Sequence, residues 1–423
     1  MKFTSIILAA GKGTRMKSSM PKVLHKVGGK PMLEHVINSA KNAGSAREIV
    51  VIGNGADEVR EKIDGVEFAL QAEQLGTGHA VKIVKEKFFE TFSDDETIMI
   101  LCGDTPIITA ELLKNFIENH EETKAAATIL TAMIPDATGY GRIVRNQSGT
   151  VDKIVEHKDA TEDELQIHEV NSGMYCFNSK ILFDALEKIT NENAQGEYYL
   201  TDAIGIIREQ GLLINAFVTQ DFTQIFGINS RLQLATAERI LRQRKNFELM
   251  ENGVTILDPD STFIDSDVEI GRDTIIYPFT YLEGKIIIGE NCSIGPFVHI
   301  RPESKIGDKV KIGNFVEVKN SNVGAGTKLP HLQYIGDSDL GENVNIGCGS
   351  VTCNYDGKKK FRTKIGDNVF IGCNTNLVAP VEVGNNAYTA AGSTITQNVP
   401  ENNLAFGRAR QVNKSNWKDK RKN

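Results

Sequence analysis

The residues best placed to do chemistry fall into two groups. Near the start, Leu8-Ala-Ala-Gly-Lys-Gly-Thr-Arg15 is followed by Pro21-Lys22. Glycines in Gly11-Lys-Gly-Thr let the backbone turn tightly and bring its N–H groups against phosphate oxygens, and Arg15 and Lys22 add fixed positive charge. Met16 stands where a dinucleotide-binding fingerprint has its third glycine, which argues against that use. Leu101-Cys-Gly-Asp104 puts a carboxylate directly after an apolar run, where a metal-bound triphosphate would lie. Nucleotidyl transfer asks the protein for charge neutralisation and an in-line nucleophile rather than covalent chemistry, and a hard divalent cation held by oxygens suits it. Read singly, an Asp in such a turn is more often a helix N-cap than a metal ligand. The second group lies in the C-terminal third, where His331-Leu-Gln-Tyr-Ile-Gly-Asp337 and Thr352-Cys-Asn-Tyr-Asp-Gly-Lys-Lys-Lys360 interrupt a regular repeat.

The elements that must hold these residues differ between the two ends. Phe3-Ala9, Glu48-Gly53, Thr97-Cys102 and Ala125-Ala132 are short apolar runs suited to buried parallel strands. Met32-Ala43, Ala80-Phe88 and Ala110-Asn119 show helical periodicity between them. This alternation predicts a doubly wound, Rossmann-like α/β domain, in which ligands bind beyond the carboxyl ends of the strands; both Gly11-Thr14 and Gly103-Asp104 fall at that edge. Apolar and basic residues alternate at helical spacing from Ser230 to Met250, which reads as a connecting helix, either packed on the first domain or free-standing. From Ile270 to Ile395, aliphatic-glycine pairs recur mostly in sixes (Ile288-Gly289, Ile294-Gly295, Ile306-Gly307, Ile312-Gly313). Three such hexads close one triangular coil of a parallel β-helix whose inward aliphatics stack into a continuous core. The expected division is residues 1–228, a linker helix over 229–252, and a β-helix with its tail over 253–423.

A chain of 423 residues with 24% charged residues and a formal charge of −7 has no global basic field for nucleic acid. No apolar run reaches the ~20 residues needed to span a bilayer, and the apolar run after Lys2 leads into Gly-Lys-Gly-Thr-Arg without a cleavage site for export. Six cysteines without a Cys-x-x-Cys pair read as cytosolic thiols. A cytoplasmic protein acting on small molecules is expected, without membrane or nucleic-acid partners.

Leu-x-x-Gly-x-Gly-Thr-Arg with Pro-Lys resembles the signature of sugar-1-phosphate nucleotidyltransferases. Gln71-Ala-Glu-Gln-Leu-Gly-Thr-Gly78, Thr138-Gly-Tyr-Gly-Arg142, Ile154-Val-Glu-His-Lys158, Glu169-Val-Asn-Ser-Gly173 and Gln195-Gly-Glu-Tyr-Tyr-Leu-Thr-Asp202 narrow this further. With them, nearly the whole chain resembles the bacterial bifunctional N-acetylglucosamine-1-phosphate uridylyltransferases fused to a glucosamine-1-phosphate N-acetyltransferase. The resemblance implies that Leu8, Ala9, Ala10, Gly11, Gln71, Gly76 and Thr77 hold the uridine nucleotide, with Gly141, Glu156 and Asn171 around the sugar. Lys22 and Arg15 would act on phosphate, and Asp104 and Asn229 would ligate Mg²⁺ while UTP is the co-substrate. Taken one at a time, Asn171 and Asn229 also suit turns or caps and Glu156 a surface acid.

For the other half, the resemblance implies a left-handed β-helix acetyltransferase using acetyl-CoA. Amide formation needs the sugar ammonium deprotonated, and a histidine suits that task; His331 is the implied base, oriented by Glu317. Arg301 and Lys319 would bind the sugar phosphate, with Tyr334, Asn345, Asn354 and Tyr355 completing the site. Acetyl-CoA would run past Cys348, Cys373 and Ala391 to Arg408, in a site built between subunits of a homotrimer. The tail with Trp417, Lys418, Lys420, Arg421 and Lys422 would reach CoA phosphates or a neighbour, or stay solvated. Two departures stand out. Cys348 and Cys373 replace the usual small residues, which bears on thioester placement and oxidation. The array is also about one and a half coils short between Asp267 and Pro296, which would bring the two active sites closer along the helix axis. The alternatives are a uridylyltransferase with an inert β-helix, and a non-catalytic scaffold subunit.

Overall fold

The computed structural model describes residues 3–193 and 195–417; the tail residues Lys418, Lys420, Arg421 and Lys422 lie outside that range. The chain divides into two units, Met1–Ile240 and Leu241–Asn423. Among the described residues no helix is long and apolar enough to cross a membrane.

In the first unit the apolar runs form strands β1 (Phe3–Leu8), β2 (Arg47–Ile52), β3 (Glu67–Leu70), β4 (Thr97–Cys102) and β5 (Ala127–Met133). Neighbouring residues on one strand pack to opposite sides. Ile7 joins Leu33, Val36 and Phe116, whereas Ile6 joins Ala80, Val81 and Val84. A strand buried on both faces has no polar side to show, so it reads as a continuous apolar run. Helices α1 (Met32–Asn42) and α3 (Ala110–Thr123) cover one face and α2 (Thr77–Phe88) the other. Thr109, not Asp104, caps α3, its side chain accepting from the Leu112 N–H at 3.2 Å, which leaves the Asp104 carboxylate available for other work.

Four further strands complete this sheet: β6 (Arg142–Arg145), β7 (Val151–Val155), β8 (Glu169–Asn178) and β9 (Ile214–Thr219). The order is β9-β5-β8-β4-β1-β2-β3. β8 lies antiparallel between β4 and β5 and carries the β6–β7 hairpin at one end, so the otherwise parallel run of strands has an antiparallel strand in its interior. β1 and β4 run side by side with Leu8 opposite Cys102, and the Gly103 N–H donates to the Leu8 carbonyl at 2.9 Å. Their carboxyl ends therefore present Ala9–Gly11 and Gly103–Asp104 together.

A helix runs over Arg231–Glu251, as the periodicity predicts. In the second unit its Asn246 amide donates to the Pro259 and Thr262 carbonyls at 3.0 and 3.2 Å, and Arg242 stacks over Phe263 at 4.1 Å. The left-handed parallel β-helix follows. Its ladder pairs Ile256 with Ile276, Ile276 with Ile294 and Ile294 with Ile312, and the last two steps are 18 residues each, three hexads to a coil. Ile256, Ile276, Ile294, Ile312, Leu329, Ile346 and Ile371 stack within one apolar core. The array begins at Thr255 and ends at Ala405, beyond the Ile270–Ile395 span expected from glycine spacing; at its start this is because the first two strands of the first coil, Thr255–Ile256 and Phe263–Ile264, are not followed by glycine. Corner residues sit in the left-handed region, several of them asparagines (Asn291, Asn343, Asn368, Asn374, Asn386), whose short polar side chain tolerates it best.

Candidate active sites

Beyond the carboxyl ends of β1 and β4 lies a cavity of about 460 Å³ lined by Leu8, Ala9, Ala10, Gly11, Lys22, Gln71, Gly76, Thr77 and Asp104. Nine of the residues expected around a nucleotide are thus brought together from four segments. The glycines serve different purposes. A Cβ on Gly11 would meet nothing within 4 Å, so its backbone faces open space in which a ligand can approach. Gly76 has φ +108, and a Cβ there would sit 2.5 Å from the Tyr198 carbonyl, so this position needs glycine for the strand-to-helix turn itself. The Gln71 amide donates to the Gly76 carbonyl at 3.0 Å, which fixes the rim. Gln74 and Glu197 also line the cavity; their segments contributed motifs but these two side chains carried no chemical signal of their own.

Charge is concentrated on one wall. The Lys22 ammonium bridges the Asp104 carboxylate and the Asn229 side-chain oxygen, the latter at 2.9 Å, and the Ile228 N–H donates to the Asp104 carbonyl at 2.8 Å. Two convergent oxygen donors with a cation already between them match the chemistry of a hard divalent ion that takes its remaining oxygens from phosphate and water. No group of three or more His, Cys, Asp or Glu among the described residues makes a self-sufficient metal cage, so such an ion would depend on substrate. Arg15 does not line this cavity: it is exposed on the 3-10 turn Thr14–Met16.

Gly141, Glu156 and Asn171 meet on the neighbouring β6–β7–β8 segment. Arg142 pairs with both Val155 and Val170, so Gly141 falls opposite Glu156 and Asn171, and the Asn171 N–H donates to the Gly141 carbonyl at 2.9 Å. They adjoin the cavity rather than line it. Cys102 of the cavity wall reaches the Gly173 carbonyl at 3.6 Å. Asn171 also serves a turn, its oxygen accepting from the Gly173 N–H at 3.0 Å and its amide donating to Tyr175 at 2.8 Å.

Glu156 is no simple surface acid. Burial, then the Asp159 and Asp202 carboxylates, push its carboxyl above the usual range. Below the ordinary glutamate pKa it is protonated folded or unfolded; above it the unfolded chain releases the proton first, so stability falls as pH rises through the folded-state value. Glu156→Gln is expected to raise the thermal midpoint of the full chain, more near pH 8 than near pH 4, followed by circular dichroism; equal shifts at both pH values would contradict this.

On the β-helix, the hexad rhythm breaks where expected. Asn345 pairs with Phe370, 25 residues on, and the extra residues form a loop closed by a Tyr355–Lys360 bridge. Asn354 donates to the buried Asp337 carboxylate and to the Tyr334 hydroxyl at 3.4 Å. Arg301 donates to Glu317 at 3.2 Å, and Glu317 lies opposite Tyr334 in the ladder. Glu317 is thus engaged by Arg301, while the ladder partner of His331 is Asn314. His331 itself is exposed.

The corner carrying His331 continues along the axis. The ladders flanking it pair Lys328 with Asn345 and Tyr334 with Val351, so Cys348 stands opposite His331. Asn345 with Phe370 and Val351 with Asn376 put Cys373 opposite Cys348, and Phe370 with Tyr388 and Asn376 with Thr394 put Ala391 opposite Cys373. His331, Cys348, Cys373 and Ala391 therefore form one column at ~4.8 Å per layer. The Arg408 side chain passes 3.9 Å from a Cβ built on Gly392, beside Ala391. The column joins residues drawn from separate motifs.

On the β-helix, Lys360 was not foreseen as a site residue. The Lys360 ammonium, then burial, hold Lys319 below the usual lysine range, and Arg301 acts in the same sense. Three cations crowded together are the expected partner of a phosphate dianion; the Lys358-Lys-Lys360 run was the available signal. Lys360→Ala is expected to raise the KM for a sugar phosphate by about tenfold, the worth of one charge-assisted hydrogen bond, with kcat less affected; an unchanged KM would remove Lys360 from the site.

Comparisons with known proteins agree with both units. The nucleotidyl transferase family matches residues 4–248, and the bacterial transferase hexapeptide family of six repeats matches 267–302, 285–320 and 362–397. The chain is 52% identical to the bifunctional protein GlmU of Caldanaerobacter subterraneus subsp. tengcongensis, covering 99% of this chain and 98% of that one. It is 51% identical to its namesake from Bacillus cytotoxicus over 98% and 97%, and 52% identical to that of Clostridium beijerinckii over 99% and 98%. The first alignment runs over 451 positions against 423 residues here, so at least 28 of its positions carry no residue of this chain.

Proposed function

This chain belongs to the GlmU family of bifunctional proteins, and we propose that its two sites divide the labour between the cavity at Asp104 and the column at His331. The protein is a bifunctional enzyme of UDP-N-acetylglucosamine synthesis. It N-acetylates glucosamine-1-phosphate with acetyl-CoA, then transfers uridylyl from UTP to N-acetylglucosamine-1-phosphate with release of pyrophosphate.

In the uridylyltransferase half, the sugar-phosphate oxygen attacks the α-phosphorus of UTP and pyrophosphate leaves. Leu8–Gly11, Gln71, Gly76 and Thr77 hold the nucleotide, and Gly141, Glu156 and Asn171 orient the sugar. Lys22 neutralises phosphate charge, with Arg15 closing from the exposed turn. Asp104 and Asn229 would hold Mg²⁺, which would supply charge neutralisation when bound. The single observation behind this reading is the Lys22 ammonium drawn between the Asp104 and Asn229 oxygens inside the glycine-walled cavity.

In the acetyltransferase half, His331 takes a proton from the sugar ammonium, the freed nitrogen attacks the thioester carbonyl, and CoA departs as a thiol. Arg301, Lys319 and Lys360 bind the sugar phosphate, and Tyr334, Asn345, Asn354 and Tyr355 frame the sugar. The acyl carrier follows Cys348, Cys373 and Ala391 to Arg408. The protein works as a cytoplasmic homotrimer. The test is CoA thiol release from acetyl-CoA on adding glucosamine-1-phosphate without UTP. Release supports the bifunctional reading, and none from a folded oligomer favours a uridylyltransferase with a structural β-helix.

A further inference from the structure

Two thiols stand side by side on the wall that continues from His331. Cys348 and Cys373 are in register because the ladders on both sides of their corner share one offset, and the Asn374 N–H donates to the Cys348 carbonyl at 2.7 Å. A coil spacing of about 4.8 Å falls inside the roughly 4.4–6.8 Å of Cα separation that a disulfide requires. Both thiols are free, Cys373 exposed and Cys348 half-buried. The remaining thiols are poorer candidates. Burial pushes Cys102 up to about 12 and also raises Cys176, Cys292 and Cys353, and the ladder partner of Cys353 is Val378, not another thiol.

We propose that Cys348 and Cys373 form a dithiol modification site for CoA-type disulfides, and that its occupation switches off acetyl transfer while sparing uridylyl transfer. This rests on the reading of the column as the acyl carrier's path, since the oxidised form of the carrier would be guided to the same wall. Cys373, the exposed thiol, loses its proton to solvent and attacks one sulfur of the CoA disulfide. The carrier's S–S bond breaks, a Cys373–S–S–CoA bond forms, and one CoA leaves as a thiolate that takes up a proton. The Cys348 thiolate, one coil away, then attacks the Cys373 sulfur, forming a Cys348–Cys373 disulfide and releasing the second CoA thiol. Two protein thiols are oxidised and one CoA disulfide is reduced to two CoA thiols. Either product obstructs the column next to His331.

The full-length chain, reduced and freed of small thiols, is treated with CoA disulfide and followed by intact-mass and peptide mass spectrometry. Wild type is expected to lose two hydrogens and yield a Cys348–Cys373 cross-linked peptide, whereas Cys348→Ser retains one CoA on Cys373, released by dithiothreitol. Cystamine, a disulfide without the nucleotide, is expected to react at least about tenfold more slowly. The treated wild type should lose acetyl transfer, keep uridylyl transfer, and recover with dithiothreitol. Uptake of CoA by other cysteines, no uptake by Cys348→Ser, equal rates with cystamine, or parallel loss of both activities would each overturn the proposal. Acetyl transfer by the reduced wild type is measured in the same preparation. Its absence would instead overturn the underlying reading of the column, whatever the adducts show.

Discussion

Asp104→Ala is expected to lower uridylyl transfer by about 10³-fold or more in kcat/KM, the order that removing a charge-handling group costs at a phosphoryl-transfer site, with CoA release from acetyl-CoA unchanged. The side chain is largely buried beside Lys22, so deleting it leaves the Lys22 ammonium with the neutral Asn229 oxygen alone and removes the one formal negative charge from the pair of oxygen donors. It caps no helix, since Thr109 caps the one that follows, and the Asp104 backbone carbonyl still receives the Ile228 N–H without the side chain; only the Lys22 ion pair is lost. The measurement is pyrophosphate release with N-acetylglucosamine-1-phosphate and UTP. Activity within about tenfold of wild type would move the metal-handling role elsewhere.

The reciprocal variant, His331→Ala, is expected to lower acetyl transfer by about 10²- to 10⁴-fold, the usual worth of a general base, and to leave pyrophosphate release intact. His331 is exposed at a corner, so its loss opens no cavity in the stacked aliphatic core, and a fall in activity reports chemistry rather than unfolding. Thiol release from acetyl-CoA with glucosamine-1-phosphate gives the readout. Retention of wild-type rates would assign the proton transfer to another group, with the Arg301–Glu317 pair, one ladder position from Tyr334, as the next to vary.

Much of this was legible in the chain because the signals were local. A strand buried on both faces shows as a continuous apolar run, and a hexad turn shows as an aliphatic-glycine pair, so β1, β4 and most coils could be placed without coordinates. The first two strands of the first coil lay outside the repeat span because no glycine follows Ile256 or Ile264. The antiparallel placement of β8 escaped because strand direction is set by the connection and by neighbours, not by composition. In the nucleotide cavity, Lys22 and Asp104 were foreseen from the motif's fixed charge and the strand-end carboxylate, whereas Gln71 and Gly76 were foreseen only through the family resemblance. Arg15 shared that motif yet stands on an exposed turn, because the left-handed conformation of Gly13 redirects the chain. Lys360 was missed for the opposite reason. Its importance comes from Lys319, which lies far away in sequence and is brought beside it by the coil. The Cys348–Cys373 pairing likewise depends on a 25-residue register step that the inserted loop conceals.

Mixing the two variants tests the central claim, two independent sites passing a free intermediate, most directly. Asp104→Ala and His331→Ala proteins are combined with glucosamine-1-phosphate, acetyl-CoA and UTP, and UDP-N-acetylglucosamine is followed over time. Each variant alone should make essentially none from these substrates, with N-acetylglucosamine-1-phosphate accumulating in the Asp104→Ala reaction, and the mixture should make it after a lag while the intermediate builds up. No product from the mixture, with each variant retaining its own partial reaction, would contradict a freely exchanged intermediate; loss of both partial reactions in either folded variant would contradict the assignment of separate sites.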